Sequence, residues 1–595
     1  MNQAGAASLA VSAAVLGYVG WSQLRRRPVA TRLVLPLVLI VLGAASLAAR
    51  TAGHPMPPRA DAILAASLVF DAAGLAGVRA HTIRLGSEGG RIWRQGTWVT
   101  AALWLAGAAI HAALDAAAGT GGASYLLYLG VTVCAQRLVL HGRVRALAAG
   151  PVPRAGGASS RHTGRALPWL LIVVFCLLGV MGGFLSFFAA AFLTAAPVIL
   201  LTAAVALCFL IAFAGARQQG RKLAWRASAP AAAALAATAL LAWVLSLTVL
   251  APWPSSAVAR MAPPAPAGLR YWNLGTGSRI AYLEVPAQGA ARATPVVFVG
   301  GGPGEEDVAN RSEVRFFSQL AGLGYDVYFY DQVGSGLSAR LADPAEYTLR
   351  RAVDDLAAIQ AQIGARQVIL LGASWGGTLV ANYMAAHPTR VAKAVLTSPA
   401  PIDYAQWSSA DDNILSVLPP AVRRQVDGML TGSPRFLAWY ALGEIDARAA
   451  HNLVPDREAD AFFNTLLQLV APGTVCDPAH LPHQPQQGNG FYDNIFTTRN
   501  AQMAGSVADP LAVLRADRTP VLIMTGSCNY VKWPVEWQYR ATFPDATLLY
   551  FSGAGHEIYL DRPSLYLASI EDFLAGRALP LQPWTSAAPP PGLGR

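Results

Sequence analysis

The run Gly372-Ala373-Ser374-Trp375-Gly376-Gly377 follows the apolar stretch Val368-Ile369-Leu370-Leu371 and leads into a helical pattern that reaches His387. A serine in that setting can do nucleophilic chemistry. It stands clear of a sheet on a sharp strand-to-helix bend, and small residues two before and two after it let the backbone pass without a clash. The helix N-terminus that follows aims N–H groups at the place where negative charge develops during acyl transfer. Alone, the Gly-x-Ser-x-Gly spacing is a weak signal, because glycine-rich turns around a serine are common. The surrounding pattern of strand, turn and helix sets it apart from an ordinary turn.

Three further motifs follow apolar runs in chain order. Gly300-Gly301-Gly302-Pro303-Gly304 comes after 295–299, and Asp331-Gln332-Val333-Gly334-Ser335-Gly336-Leu337-Ser338 comes after 326–330. Gly553-Ala554-Gly555-His556 comes after 547–551, with Pro563 seven residues past the histidine. Taken with the serine turn, these motifs resemble the proline iminopeptidase group of serine peptidases, within the α/β-hydrolase superfamily, over roughly the C-terminal half of the chain. That group carries a His-Gly-Gly-Pro-Gly loop, an Asp-Gln-x-Gly-x-Gly-x-Ser loop and a Gly-x-Ser-Trp-Gly-Gly-like turn. The resemblance implies that Ser374 attacks a carbonyl and that His556 takes its proton and returns it to the leaving amine. The backbone N–H groups of Trp375 and Gly302 would hold the oxyanion. Asp331 is expected to tie down its own loop, away from the chemistry. Gly300 stands where the family has histidine, and Val333 where arginine is common; neither position touches the proposed chemistry directly. No cofactor or metal is expected.

The third member of the triad departs from the family. An aspartate is expected after the penultimate strand in a Gly-x-x-Asp pattern, but the chain reads Gly526-Ser527-Cys528-Asn529. An amide oxygen can accept the Nδ1–H of histidine and orient the ring. It brings no charge to balance an imidazolium, and a flipped amide would select the wrong tautomer, worth about 10⁴ in rate in a known triad. Three readings stay open. A Ser–His–Asn site works with reduced activity, Asp403 just after the strand-like run 394–397 substitutes as the acid, or the domain binds without cutting.

The elements that must position these groups are legible as a change of pattern. From about residue 269 short strand-like runs (295–299, 326–330, 367–371, 394–397, 520–524 and 547–551) alternate with amphipathic stretches (312–323, 349–363, 376–387, 535–543 and 564–574). This alternation predicts a mainly parallel sheet covered on both faces, an α/β-hydrolase domain over 269–580 with a flexible tail at 581–595. Between about 399 and 518 it stops, and that insert, which holds Trp407, Trp439 and Tyr440, is expected to form a helical lid. In the family, acidic lid residues hold the substrate's free amine; Glu444, Asp446 and Glu458 are the lid acids that could serve here, although the family's tryptophan-and-glutamate lid motif has no clear counterpart. Cys476 in the lid and Cys528 beside Asn529 are the two cysteines of this half. Outside the cytoplasm they could form a disulfide pinning the lid to the acid loop, or remain separate buried thiols.

The first 250 residues are of another kind. The chain of 595 residues is 54% hydrophobic and 13% charged, with mean hydropathy +0.38, and the apolar excess is concentrated there. About eight runs are long enough to span a bilayer, near 4–21, 33–49, 62–78, 97–115, 124–141, 168–190, 195–215 and 229–250. The first lacks a basic leader, so it does not read as a cleavable signal peptide. Arginines crowd alternate loops: Arg25, Arg26, Arg27 and Arg32; Arg79, Arg84, Arg91 and Arg94; Arg143, Arg145, Arg154, Arg161 and Arg165; Arg217, Arg221 and Arg226 with Lys222. The positive-inside rule then puts both termini outside, in a multi-pass bacterial plasma-membrane protein. These loops account for most of the net charge of +11, and no basic patch interleaved with aromatics points to nucleic acid. Asp71, His111, Asp115 and Arg137 lie within spans, either as a functional polar site or as helix-packing contacts. Cys134, Cys176 and Cys208 read as small apolar packing residues. A proline-rich segment at 251–268 is expected to act as a semi-rigid tether.

The function expected is a membrane-anchored serine hydrolase with its active site outside, cleaving small peptides or amides. An esterase on the same fold would use the same core residues. A rival is a non-catalytic receptor whose lid pocket binds a ligand, and another is a transporter with an appended hydrolase.

Overall fold

A computed structural model of the chain describes residues 24–29, 36–42, 44, 68, 76–88, 91–97, 100–101, 103–104, 107, 111, 125–148, 160–407, 413–482, 487–503 and 509–593. It falls into two compact units, Met1–Leu177 with Ala212–Ala233, and Leu178–Ile211 with Ala234–Arg595.

The larger unit is built on an eight-stranded sheet. Its strands are β1 (Arg270–Asn273), β2 (Arg279–Val285), β3 (Val296–Val299), β4 (Val327–Tyr330), β5 (Val368–Ala373), β6 (Val391–Thr397), β7 (Val521–Gly526) and β8 (Ala546–Phe551). They are ordered β8-β7-β6-β5-β3-β4-β2-β1. Pairing is parallel from β8 through β4, while β1 and β2 add to the edge antiparallel. The parallel strands are buried on both faces, which is why they read as continuous apolar runs such as Val-Val-Phe-Val and Val-Leu-Ile-Met. Phe298, Phe329, Leu371, Leu522 and Leu549 pack into one core with Ile570 and Leu574 of the last helix, Pro563–Ala575.

The six expected strands lie where the pattern placed them. β5 and β7 run two residues further, because the ladder continues through Ala373↔Thr397 and Gly526↔Phe551. β1 and β2 escaped the pattern reading. In β1 only Trp272 is buried, its ring stacked 3.6 Å from that of Tyr282, so an exposed edge strand shows no apolar run. Between β6 and β7 lie the helices Pro420–Thr431, Pro434–Gly443, Ala447–Leu453, Asp456–Val470, Phe491–Met503 and Pro510–Leu514.

The proline-rich segment, expected as a semi-rigid tether, is docked at Trp253. Trp253 is 2% exposed and sits among Phe436, Trp439, Phe462 and Phe491 at ring-centroid distances of 4.9–5.5 Å. The backbone N–H of Trp253 donates to Glu458 Oε1 at 3.0 Å, and Ser256 N–H donates to Thr465 Oγ1 at 2.9 Å. Proline stops the helix as expected, but burial of a large aromatic side chain outweighs the freedom of an extended linker.

Among the described residues three helices are long and apolar enough to cross a membrane: Leu171–Ala191, Pro197–Leu223 and Ala229–Leu247. About eight were expected. The stretch 4–21 lies outside the described residues, 33–49, 62–78 and 97–115 are described only in part, and 124–141 lies in the helix Tyr125–Ala148. Asp71 and Asp115 also lie outside the described residues. His111 is buried with its ring stacked 4.3 Å from that of Tyr128, as a packing contact would place it. In the smaller unit the basic segments Arg27–Pro28, Arg84–Glu88 and Arg91–Gln95 join in a three-stranded antiparallel sheet.

Candidate active site

Ser374 stands between β5 and the helix Trp375–Ala386 with φ +52° and ψ −119°. A non-glycine residue held there is strained, as a nucleophile turn requires. Its backbone is fully engaged: its N–H donates to Thr397 O at 2.9 Å, and its carbonyl accepts from Gly377 and Ala400 at 2.9 and 3.0 Å. The flanking glycines are small for a visible reason. A Cβ on Gly376 would strike the carbonyl oxygen of Val299, and one on Gly372 would come within 2.7 Å of that of Gly376. Trp375 opens the helix, so its N–H belongs to the first turn, where donors lack intrahelical acceptors.

The glycine loop lies against this turn. A Cβ on Gly301 would sit 3.3 Å from Ser374 Cβ and 2.6 Å from Glu305 Oε2, and Gly302 has φ +106°, a glycine conformation. Gln332 Nε2 donates to the carbonyls of Gly300 and Gly301 at 3.1 and 3.4 Å, tying the second motif to the first. Asp331 accepts the N–H groups of Asp307, Val308 and Leu337 at 2.7–2.9 Å, which gives it the loop-holding position expected. A side chain at Gly300 would begin on the buried Asp307 carboxyl, so that space is already filled.

His556 is 4% exposed, with Nδ1 2.8 Å from Asn529 Oδ1 and Nε2 3.2 Å from the Tyr530 hydroxyl, whose ring stacks on it at 4.3 Å. Burial pushes its pKa down to about 3, so the ring is neutral at ordinary pH. Among the described residues no hydrogen bond joins it to Ser374 Oγ; Tyr530 holds the nitrogen that would serve the serine.

Asp403 does not substitute as the acid. Its oxygens accept Ala405 N–H at 3.1 Å and Gln406 Nε2 at 2.8 Å, capping the turn Tyr404–Gln406, while Nδ1 of His556 is taken by Asn529. The three lid acids are likewise engaged elsewhere. Glu458 grips Arg435 through two contacts of 2.8 Å and also accepts Trp253 N–H. Glu444 pairs with Arg499 at 3.3 Å, and Asp446 caps the helix Ala447–Leu453 through Ala449 N–H. Cys476 and Cys528 form a disulfide with Cα atoms 5.4 Å apart, fastening the lid next to Asn529.

Acids that the sequence reading passed over lie at the glycine loop instead. Burial raises Glu305 to about 7, and burial with the charge of Glu305 raises Glu557 to about 8. Glu313 is raised well above its ordinary range by burial, then by Glu557 and Glu305. Tyr530 and Glu536, which meets Asn529, were also missed. Adjacency to motif residues was the one available signal for Glu305, Tyr530 and Glu557. Nothing local marks Glu536, which reaches Asn529 from the next helix. Among the described residues no group of three His, Cys, Asp or Glu side chains is placed to hold a metal ion.

Over its C-terminal half the chain is similar to known proteins. Residues 294–563 match the family model described as the alpha/beta hydrolase fold. The chain is 26% identical over 309 residues to a proline iminopeptidase of Heyndrickxia coagulans, covering 50% of this chain and 96% of that protein. It is 26% identical over 336 residues to epoxide hydrolase A of Mycobacterium tuberculosis, covering 51% of this chain and 96% of that protein. Among solved structures, a proline iminopeptidase of Mycobacterium smegmatis aligns at 21% identity with a TM-score of 0.34, over 52% of this chain and 98% of that one.

Proposed function

Because the C-terminal half is an α/β-hydrolase with a serine on its nucleophile turn, we propose that this protein is a membrane-anchored serine hydrolase. Its active site faces outward and cleaves small peptides or amides, with esters open to the same core residues. The observation that carries this reading is the strained Ser374, set at a helix N-terminus against the glycine loop.

In the reaction Tyr530 releases Nε2 and Ser374 Oγ–H takes its place. As Oγ attacks the carbonyl carbon, its proton passes to Nε2, and the oxyanion is met by the N–H groups of Trp375 and Gly302. Collapse breaks the bond to the leaving group, which takes the proton from His556, and water then repeats the sequence on the acyl-enzyme. Removing one oxyanion donor in such sites costs about 100- to 1,000-fold in rate.

Three observations support the membrane placement. Among the described residues three apolar helices precede the hydrolase half. Basic segments after the first and third expected spans share one sheet, as same-side loops would. The disulfide suits an oxidising compartment. Tyr530 on Nε2 favours binding without turnover.

Covalent labelling by a fluorophosphonate probe separates the two. Labelling that disappears in Ser374→Ala is expected; a wild-type protein that does not label through Ser374 overturns the hydrolase reading in favour of a receptor.

A further inference from the structure

Asn529 is more than an aspartate that has lost its charge, because its amide is held at both ends. Nδ2 donates to Glu536 Oε1 at 2.8 Å and to Thr525 Oγ1 at 3.2 Å. Oδ1 accepts Val531 N–H at 3.2 Å and faces His556 Nδ1 at 2.8 Å. A backbone N–H only donates, so Val531 N–H on Oδ1 permits a single orientation of the amide, with the NH₂ toward Glu536 and the oxygen toward the histidine. The imidazole must then carry its proton on Nδ1 and offer Nε2 as the acceptor, the tautomer a serine nucleophile needs. Glu536 lies in the first turn of the helix Trp533–Thr542 and is 1% exposed, so the contact is shielded from water. An amide whose N–H is bound by a carboxylate also carries more negative charge on its carbonyl oxygen.

We propose that Glu536 is the positioning residue of a Ser374–His556–Asn529 site. It holds and polarises the amide so that Asn529 orients the histidine as an aspartate would. This rests on the serine-hydrolase reading above. The pairing also has a chemical mirror image. Aspartate at 529 with glutamine at 536 keeps the same contact with donor and acceptor exchanged. Aspartate at 529 alone brings two carboxylates together, and such a pair cannot both ionise near neutral pH.

The test compares the full-length protein in detergent in four forms: wild type, Asn529→Asp, Glu536→Gln and the double variant. The rate of fluorophosphonate modification at Ser374 is followed from about pH 5 to about pH 9, with thermal unfolding measured on each form. Asn529→Asp is expected to react about tenfold or more slowly near neutral pH, with a rate that climbs as the shared proton leaves. Glu536→Gln is expected to react more slowly without that climb. The double variant should return to the wild-type rate or above and lose the added pH dependence. With wild type labelled, an Asn529→Asp rate equal to that of the double variant at every pH overturns the proposal. So does coupling that appears in the melting temperatures but not in the rates, which would make the contact structural only. A wild type that does not label defeats the hydrolase reading itself, and the role of Glu536 falls with it.

Discussion

Tyr530 occupies the nitrogen that Ser374 would need, so the structure shows His556 in a guarded state. Tyr530→Phe removes the hydroxyl while keeping the stacked ring. A free Nε2 should raise the rate of fluorophosphonate modification severalfold, and an unchanged or lower rate would mean that the hydroxyl assists the base. The acids beside the nucleophile set a second residue-scale expectation. Glu557 is held neutral up to about pH 8 in the folded protein, against an ordinary value of 4.5. Between those values the unfolded chain gives up a proton that the folded one keeps, so stability from this group is present in acid and lost as pH rises through about 8. His556 acts from the other side: with its pKa down at about 3, its contribution is present above its ordinary value of 6.5 and lost as pH falls toward 3. Glu557→Gln should therefore flatten the fall in melting temperature between about pH 4.5 and about pH 8 and leave the region above about pH 8 unchanged. An equally steep fall across that window in the variant would count against the buried-acid account.

At the scale of elements, the disulfide and the strand ends decide how the site is held. Cys476 and Cys528, 52 residues apart, fasten the lid beside the residue that orients the histidine. Replacing both by serine should cost about 2–4 kcal/mol in unfolding free energy. It should also slow Ser374 labelling at temperatures where the fold survives, because the Asn529 loop loses its anchor. Full-rate labelling in that variant would show that the loop is set by the sheet alone. The parallel strands and the helix Leu349–Ile363 were legible because burial on both faces, or on one stripe, leaves an apolar signature in the chain. β1 was not, since an edge strand with one buried side chain leaves almost none. The docked linker was not legible either. Proline content says where a helix cannot continue, and it is silent on whether Trp253 will find Phe436 and Phe462.

At the scale of the whole molecule, the chain joins an apolar helical part to a hydrolase part. If the basic loops face the cytoplasm, protease added to spheroplasts should degrade the hydrolase half and leave a membrane-embedded N-terminal fragment. A hydrolase half protected until the membrane is opened would reverse the topology. The sequence by itself determined the fold of the C-terminal half and singled out Ser374 and His556, because these depend on local order: a strand, a tight turn and a helix, repeated with glycine where the backbone crowds. It also determined that the acid position holds an amide. What that amide does was decided only by tertiary structure. Glu536, Val531 and His556 meet around Asn529 from a helix, a loop and the end of another strand. Likewise only packing showed that Glu444, Asp446, Glu458 and Asp403 are taken up by an arginine or by helix caps. A side chain's type is written in the chain, but the partner that uses up its hydrogen-bonding capacity is set by contacts distant in sequence.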